Sequence, residues 1–316
     1  MLTGQMADGT FRRLSNRASD LPPVALIVMA TKPGWTRQNL RHVAAFVHQG
    51  RNPAARVYES IGSDFFLAPA PGWLNLGLWD GPGTESGAED ACRRLVQTVA
   101  SALPAEGVIL DVGNGLGTQD PLIADVARPR TLVAANITEW QLRAGRSSLM
   151  TAGGLPVVAD AARLPFADAT VDGVISVEAA FHFSSRLSFF RECVRVLRPG
   201  GVLTTSDIST ERMPRGPREL LAGFTQLRVF GLRRDAAMTA EQIADAARSA
   251  GLVDVDIERC GDRVIAPALE LTRERLRADD RVPIGQRRAG RVLLEQVELM
   301  WRRRIIDYAL FRARKP

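Results

Sequence analysis

The stretch Val108-Ile-Leu-Asp111-Val-Gly113-Asn-Gly115-Leu-Gly117-Thr118 decides the fold. Val108–Val112 is a compact run with one acid, bounded by glycines, which is the pattern of a parallel strand buried on both faces. Three glycines at alternate positions follow. Glycine lets the backbone turn tightly and approach a ligand that a Cβ would keep away. From Thr118 onward the chain reads as a helix, so strand, turn and helix open a βαβ unit. The spacing is not that of the dinucleotide fingerprint Gly-x-Gly-x-x-Gly, which needs glycine where Thr118 stands. Asp111 can accept hydrogen bonds from a cationic ligand group.

Working outward, short apolar runs recur at Thr131–Ala135, Pro156–Ala159, Gly173–Val177 and Val202–Ser206. Helical stretches near 118–127, 139–150 and 186–197 separate them. This alternation predicts an α/β fold with a doubly wound, mostly parallel sheet, the Rossmann-like arrangement. Leu252–Glu258 alternates as a further strand, and Ile305–Phe311 reads as the last one. Thr210–Asp235 and Ile265–Arg303 do not belong to the sheet. Upstream, Glu85–Leu103 and Gly34–Ser60 are helical in pattern, and Pro69-Ala-Pro71-Gly72 introduces a short aromatic segment, Trp73–Trp79. The expected organisation is a loose N-terminus over 1–22 and an N-terminal helical or lid segment over 23–104. An α/β domain over 105–316 follows, with lid insertions at 209–238 and 262–303.

The 316 residues are 46% hydrophobic and 24% charged, enough for a sizeable core without disulfides. That composition excludes global disorder, a coiled coil and a collagen-like chain. Basic groups exceed acidic ones by 41 to 35, and lysine occurs only at Lys32 and Lys315. Both signs are interspersed. Only Arg302–Arg304 and the group Arg312, Arg314, Lys315 cluster, without interleaved aromatics, so no nucleic-acid partner is expected. The longest apolar run, Val24–Ala30, is far below the ~20 residues of a membrane span. No membrane association is expected, and the location expected is cytoplasmic. Cys92, Cys193 and Cys260 form no CxxC pair and read as buried thiols. No His, Asp or Glu cluster has metal-ligand spacing, so no metal is expected.

Several motifs stand in a characteristic order. They are Asp111-x-Gly-x-Gly-x-Gly117, Asn136-Ile-Thr-x-x-Gln141, Asp160-Ala161 with Leu164-Pro-Phe166, Asp172–Glu178 and Leu197-Arg-Pro-Gly-Gly201. This order resembles the class I S-adenosylmethionine-dependent methyltransferases over roughly residues 72–260. Asn75-Leu-Gly77-Leu-Trp79, Gly115-Leu-Gly117-Thr-Gln119-Asp120, Glu178-Ala-Ala-Phe-His182-Phe, Ser206-Asp207-Ile and the ending Ala309–Pro316 are most similar to the branch of deoxysugar O-methyltransferases acting in erythromycin biosynthesis. The resemblance implies S-adenosyl-L-methionine as cofactor. Gly113, Asn114, Gly115, Gly117 and Asp111 would cradle its methionine end. Asn136, Thr138 and Gln141 would sit near the ribose, and Asp160 and Ala161 at the adenine, with Ile137 also at the cofactor. Glu178 and Ala179 would lie near the sulfonium, and Trp79 would close over the cofactor with Trp73 and Asn75. Two positions depart from the family pattern. Asn136 stands where an acid normally holds the ribose hydroxyls, and Asn114 stands where many relatives have cysteine or an apolar residue.

His182 follows the fourth strand at the carboxyl edge of the expected sheet, where such sheets bind ligands. Histidine titrates near working pH, which suits it to remove an acceptor proton. Asp207, past the fifth strand on the same edge, is expected to orient the imidazole or share that role. The implied activity is methyl transfer to a small-molecule acceptor in secondary metabolism, most simply a hydroxyl on a glycosylated or polyketide-type natural product. The alternative is a methyltransferase-fold cyclase or pericyclase that binds the cofactor without transferring its methyl. A homodimer is left open.

Overall fold

The structure is a computed structural model that describes residues 68–232, 237–278 and 284–316. The expectations for 1–22, Gly34–Ser60 and Val24–Ala30 lie outside the described residues. Helix α1 (Ala88–Ala100) precedes β1 (Val108–Val112), α2 (Asp120–Ala127) and β2 (Thr131–Asn136). Then come α3 (Glu139–Ala144), α4 (Arg146–Thr151), β3 (Leu155–Val158), β4 (Val171–Val177), a single 3-10 turn (Ala180–His182) and α5 (Arg186–Val196). The chain continues through β5 (Leu197–Thr210), α6 (Gly216–Val229), α7 (Ala240–Ala250), β6 (Val253–Arg259), α8 (Gly261–Ala278), α9 (Ile284–Arg302) and β7 (Ile306–Arg314).

The seven strands form one sheet in the order β3-β2-β1-β4-β5-β7-β6. β1 to β5 are parallel, while β7 runs antiparallel to both β5 and β6. Both faces are covered. Ile109, Leu132, Ile175 and Tyr308 pack with Leu95 and Val99 of α1 and Val264 of α8 on one side. Leu110, Val133, Val174 and Leu203 pack with Phe189 and Phe190 of α5 and Ile243 of α7 on the other. This two-sided burial is why the strands read as apolar runs and not as alternating ones. The expected helix 139–150 is two short helices parted at Gly145. Strand five begins earlier than expected, at Leu197, and carries the Pro199-Gly200-Gly201 turn region within it. The segments expected as insertions contain α6 in the first and most of α8 and α9 in the second; α9 packs on both α6 and α8. Among the described residues no helix is long and apolar enough to cross a membrane. All three cysteines are free and buried.

The strand order reverses between β1 and β4, which opens a crevice at their carboxyl ends. Beneath it lie two buried acids, Asp111 at the end of β1 and Asp120 at the start of α2, both fully covered. Asp111 Oδ2 accepts from Gln119 Nε2 at 2.6 Å, and Asp120 Oδ2 accepts from Asn114 Nδ2 at 3.1 Å. Asp111 Oδ1 and Asp120 Oδ1 have no other donor. One proton held between the two carboxyls would satisfy both oxygens and remove the like-charge repulsion. Burial and the neighbouring acid push Asp111 well above the usual carboxylate range, and burial pushes Asp120 up to about 6.

The sign of the consequence follows from linkage. An acid whose pKa is raised by folding keeps a proton that the unfolded chain has lost, so stability falls as pH rises, by about 1.4 kcal/mol per unit for each retained proton. The loss begins above the unfolded value of 3.8 and continues through about 6. In Asp120→Asn the amide donates to Asp111 directly and no shared proton is needed. The melting temperature of the wild type is expected to fall between pH 5 and pH 8, and that of Asp120→Asn to fall much less. Parallel profiles in differential scanning calorimetry would show that the two carboxyls do not share a proton.

Candidate active site

The crevice is a cavity of about 270 Å³ between the carboxyl ends of β1, β2 and β4. Gly72–Asn75 closes it from the N-terminal side, and Phe183 and Ser184 line it beyond His182. The glycine turn supplies its floor. Gly113 and Gly115 both have left-handed backbones, φ +81° and +59°. A Cβ on Gly113 would come within 2.4 Å of Ala179 Cβ, and one on Gly115 within 3.0 Å of Leu74 Cδ1. Side chains at either position would fill the cradle and strain the turn.

Of the residues expected at the cofactor, Gly113, Asn114, Gly115, Asn136, Ile137, Gln141, Asp160, Ala161, Glu178 and Ala179 line the cavity. Three expected contacts lie behind its wall. Asp111 is fully buried and reaches the cavity only through Gln119, which is on the wall. Gly117 lies beneath the turn, where a Cβ would meet Asp120 Oδ2 at 3.0 Å. Trp79 packs in the core beside α1 and α8, its indole N–H donating to Leu76 O at 2.9 Å and its amide to Arg263 O at 2.8 Å. Trp79 therefore holds the segment that covers the cavity and does not itself cover it.

Asn136 differs from expectation in what its amide touches. Its Nδ2 donates to Gln141 Oε1 at 3.1 Å, to Asn114 Oδ1 at 3.3 Å and to Gly115 O at 3.5 Å, and its Oδ1 accepts from Thr138 N at 2.9 Å. The two departures from the family pattern, Asn114 and Asn136, are thus hydrogen-bonded to each other. A carboxylate at 136 would face three acceptor oxygens. Gln141 is the wall residue whose Nε2 donors this leaves for a ligand.

Glu178 ends β4 in a left-handed backbone, φ +49°. Its Oε1 accepts from Leu76 N at 2.7 Å and from the Tyr308 hydroxyl at 2.8 Å. Burial pushes its carboxyl up to about 7, against the pull of those two donors. Sequence reasoning missed Tyr308, fully buried on β7, although a buried tyrosine needs a partner for its hydroxyl.

His182 lies on the cavity wall, half-buried. Asp207 does not orient it as expected. Arg186 takes both Asp207 oxygens, Nε to Oδ2 at 2.8 Å and Nη2 to Oδ1 at 3.1 Å, in a fully buried fork. Burial and the Arg186 charge then push His182 down to about 3, the opposite of the rise that a facing carboxylate would cause. Burial raises Asp207 in spite of Arg186. Among the described residues no group of three or more His, Cys, Asp or Glu could hold a metal ion.

The cavity fits S-adenosylmethionine on structural grounds. Its turn is a cradle that any Cβ would fill, and Asn75 Nδ2, a buried donor on its wall, has no protein partner. The family described as "Methyltransferase domain" matches residues 110–205. Erythromycin 3''-O-methyltransferase of Saccharopolyspora erythraea is 32% identical over 228 residues, covering 69% of this chain and 74% of that protein. The O-methyltransferase cnsE of Penicillium expansum is 29% identical over 228 residues, covering 70% and 79%. Among solved structures, the 4+2 cyclase SpnF superposes with a TM-score of 0.60 at 23% identity, covering 90% of this chain and 98% of that one. The chain belongs to the class I S-adenosylmethionine-dependent methyltransferases.

Proposed function

We propose that this methyltransferase acts in secondary metabolism on a hydroxyl of a glycosylated or polyketide-type natural product. The observation that carries the reading is a neutral imidazole, His182, on the wall of the cavity beside the end of β4. The relatives support the acceptor class, because they include enzymes named for O-methylation of erythromycin and of 27-O-demethylrifamycin SV. The cofactor, when bound, supplies the methyl electrophile. The turn at Gly113–Gly115 and Asn75 would hold its methionine end. Gln141 and Thr138 would meet the ribose, with Ile137, Asp160 and Ala161 at the adenine.

What remains for the chain is to position and desolvate the acceptor oxygen, which can be worth about 7–11 kcal/mol. An imidazole whose conjugate acid titrates near 3 does not store a proton at neutral pH. Its service is to accept the hydrogen bond of the acceptor hydroxyl and hold that oxygen in line. The Arg186–Asp207 fork keeps α5 and β5 together below it and leaves the imidazole neutral.

Incubation with methyl-labelled S-adenosylmethionine and a panel of hydroxylated macrolides, with and without sugars, tests the acceptor class. A labelled product with one equivalent of S-adenosylhomocysteine is expected; an unlabelled isomer of the substrate, with no S-adenosylhomocysteine released, would mean cyclisation instead. His182→Ala is expected to lower kcat by roughly 10- to 100-fold, the order of the ~1–3 kcal/mol lost when a buried hydroxyl is left without its acceptor, while calorimetric affinity for S-adenosylhomocysteine stays within twofold. No imidazole limb is expected in the wild-type rate between pH 5 and pH 8, so any limb near 7 persists in the variant. Activity of His182→Ala within threefold of wild type would remove His182 from the acceptor site.

A further inference from the structure

Glu178 is a buried acid on the wall of the cofactor cavity, and its hydrogen bonds do not use its whole carboxyl. Both protein donors, Leu76 N and the Tyr308 hydroxyl, fall on Oε1. Oε2 receives neither of them, and Glu178 lines the cavity. Both donors are neutral. The groups that face Glu178 are Tyr308 on β7, Asp207 on β5 and Cys92 on α1, and His182 lines the same cavity. Asp207 repels its charge and is itself committed to Arg186. The Tyr308 and Cys92 protons are held firmly, since burial pushes both groups up. His182 is neutral. No cation is therefore among the groups that lower the Glu178 carboxyl. A buried carboxylate without a counter-charge is costly, so in the empty site burial holds the Glu178 carboxyl up, to about 7.

The position of this acid gives the missing charge a source. Glu178 directly precedes Ala179, whose Cβ lies against Gly113 of the turn. On the reading that the methionine end lies on that turn, the sulfonium stands beside the end of β4. We propose that the Glu178 carboxylate is the counter-ion of the cofactor's sulfonium, so that the site distinguishes the charged cofactor from the neutral thioether product. Taking up S-adenosylmethionine then releases the Glu178 proton to solvent, and S-adenosylhomocysteine leaves it in place. The inference rests on the cofactor occupying this cavity.

The two ligands differ by the methyl group and its charge, and because that charge also lowers the pKa of the cofactor's own ammonium, each free ligand is titrated separately and its contribution is subtracted from the ratio of affinities. With the carboxyl near 7, its ionised fraction rises from about one tenth at pH 6 to about nine tenths at pH 8. Calorimetric titration of the wild type with each ligand is expected to show the affinity ratio of S-adenosylmethionine to S-adenosylhomocysteine rising about tenfold over that range. At pH 6.5, repetition in phosphate and in a high-ionisation-enthalpy amine buffer is expected to show more protons released by the cofactor than by the product. Glu178→Gln should flatten the ratio. The wild-type comparison decides the matter even if that variant fails to fold. A ratio independent of pH, with equal proton counts, would overturn the inference while leaving the cofactor reading intact. Failure of both ligands to bind would overturn the cofactor reading itself.

Discussion

Two carboxyls buried side by side, Asp111 and Asp120, fix the orientation of the Asn114, Asn136, Gln141 and Gln119 amides around the cofactor cavity. Because Asp120 Oδ2 is an acceptor, Asn114 must present its Nδ2 to it and its Oδ1 to Asn136. Asn136 must then present its own Nδ2, which it shares with Gln141 Oε1 and Gly115 O. On the other branch Asp111 holds Gln119. A buried polar network specifies one arrangement only when each member is satisfied. Here a shared proton would close the chain at one end, and Gln141, with its donors left over, opens it at the cavity. The same network anchors the glycine turn to α2 and to the end of β2.

Glu178 plays a matching part on the other side of the crevice. A non-glycine residue in the left-handed region costs of the order of 1–3 kcal/mol and persists only where its surroundings dictate it. Its amide donates to Ser206 O at 3.0 Å, and its carboxyl receives the two hydrogen bonds from Leu76 and Tyr308. One residue thereby joins the covering segment, β4, β5 and the last strand. That segment is also held from outside, by Arg94 Nη1 to Leu78 O at 2.9 Å and by the Cys92 thiol to Asn75 O at 3.6 Å. The cover over this part of the cavity is built into the core and is not a loose flap.

The sheet was legible because burial on both faces leaves a dense apolar signature at its central parallel strands, β1, β2 and β4, and the glycine turn was legible because few other residues tolerate its backbone. The resemblance also pointed to Asn136, Gln141, Asp160 and Glu178, all of which line the cavity. What escaped was pairing. Nothing local in Arg186 announces that its fork closes on Asp207, 21 residues on, and takes that acid away from His182. Tyr308 meets Glu178 across 130 positions. Asp111 and Trp79 carry family signals, but side-chain direction moved both behind the wall, and direction depends on partners that the sequence does not order. The strand limits erred for a simpler reason: β5 continues into the ladder with β7, whose register from Val202–Arg314 to Thr210–Ile306 is a tertiary property.

One cause underlies the two opposite shifts at the cavity. Burial raises Glu178 and lowers His182, and in both cases the form it favours is the uncharged one. The Arg186–Asp207 fork has the same effect by other means, since it buries a full positive and a full negative charge against each other and presents neither. Burial and the neighbouring acid push Asp111 well above the usual carboxylate range, again towards the uncharged form. Of the ionisable residues on the wall that the ligand meets, Asp160, Glu178 and His182, the last two are pushed by burial towards their uncharged forms. In such surroundings a charge brought by a ligand is poorly screened and strongly felt. That places the electrostatic decision with whichever group can change its own charge at least cost, and Glu178, with neutral partners and a carboxyl poised near 7, is that group.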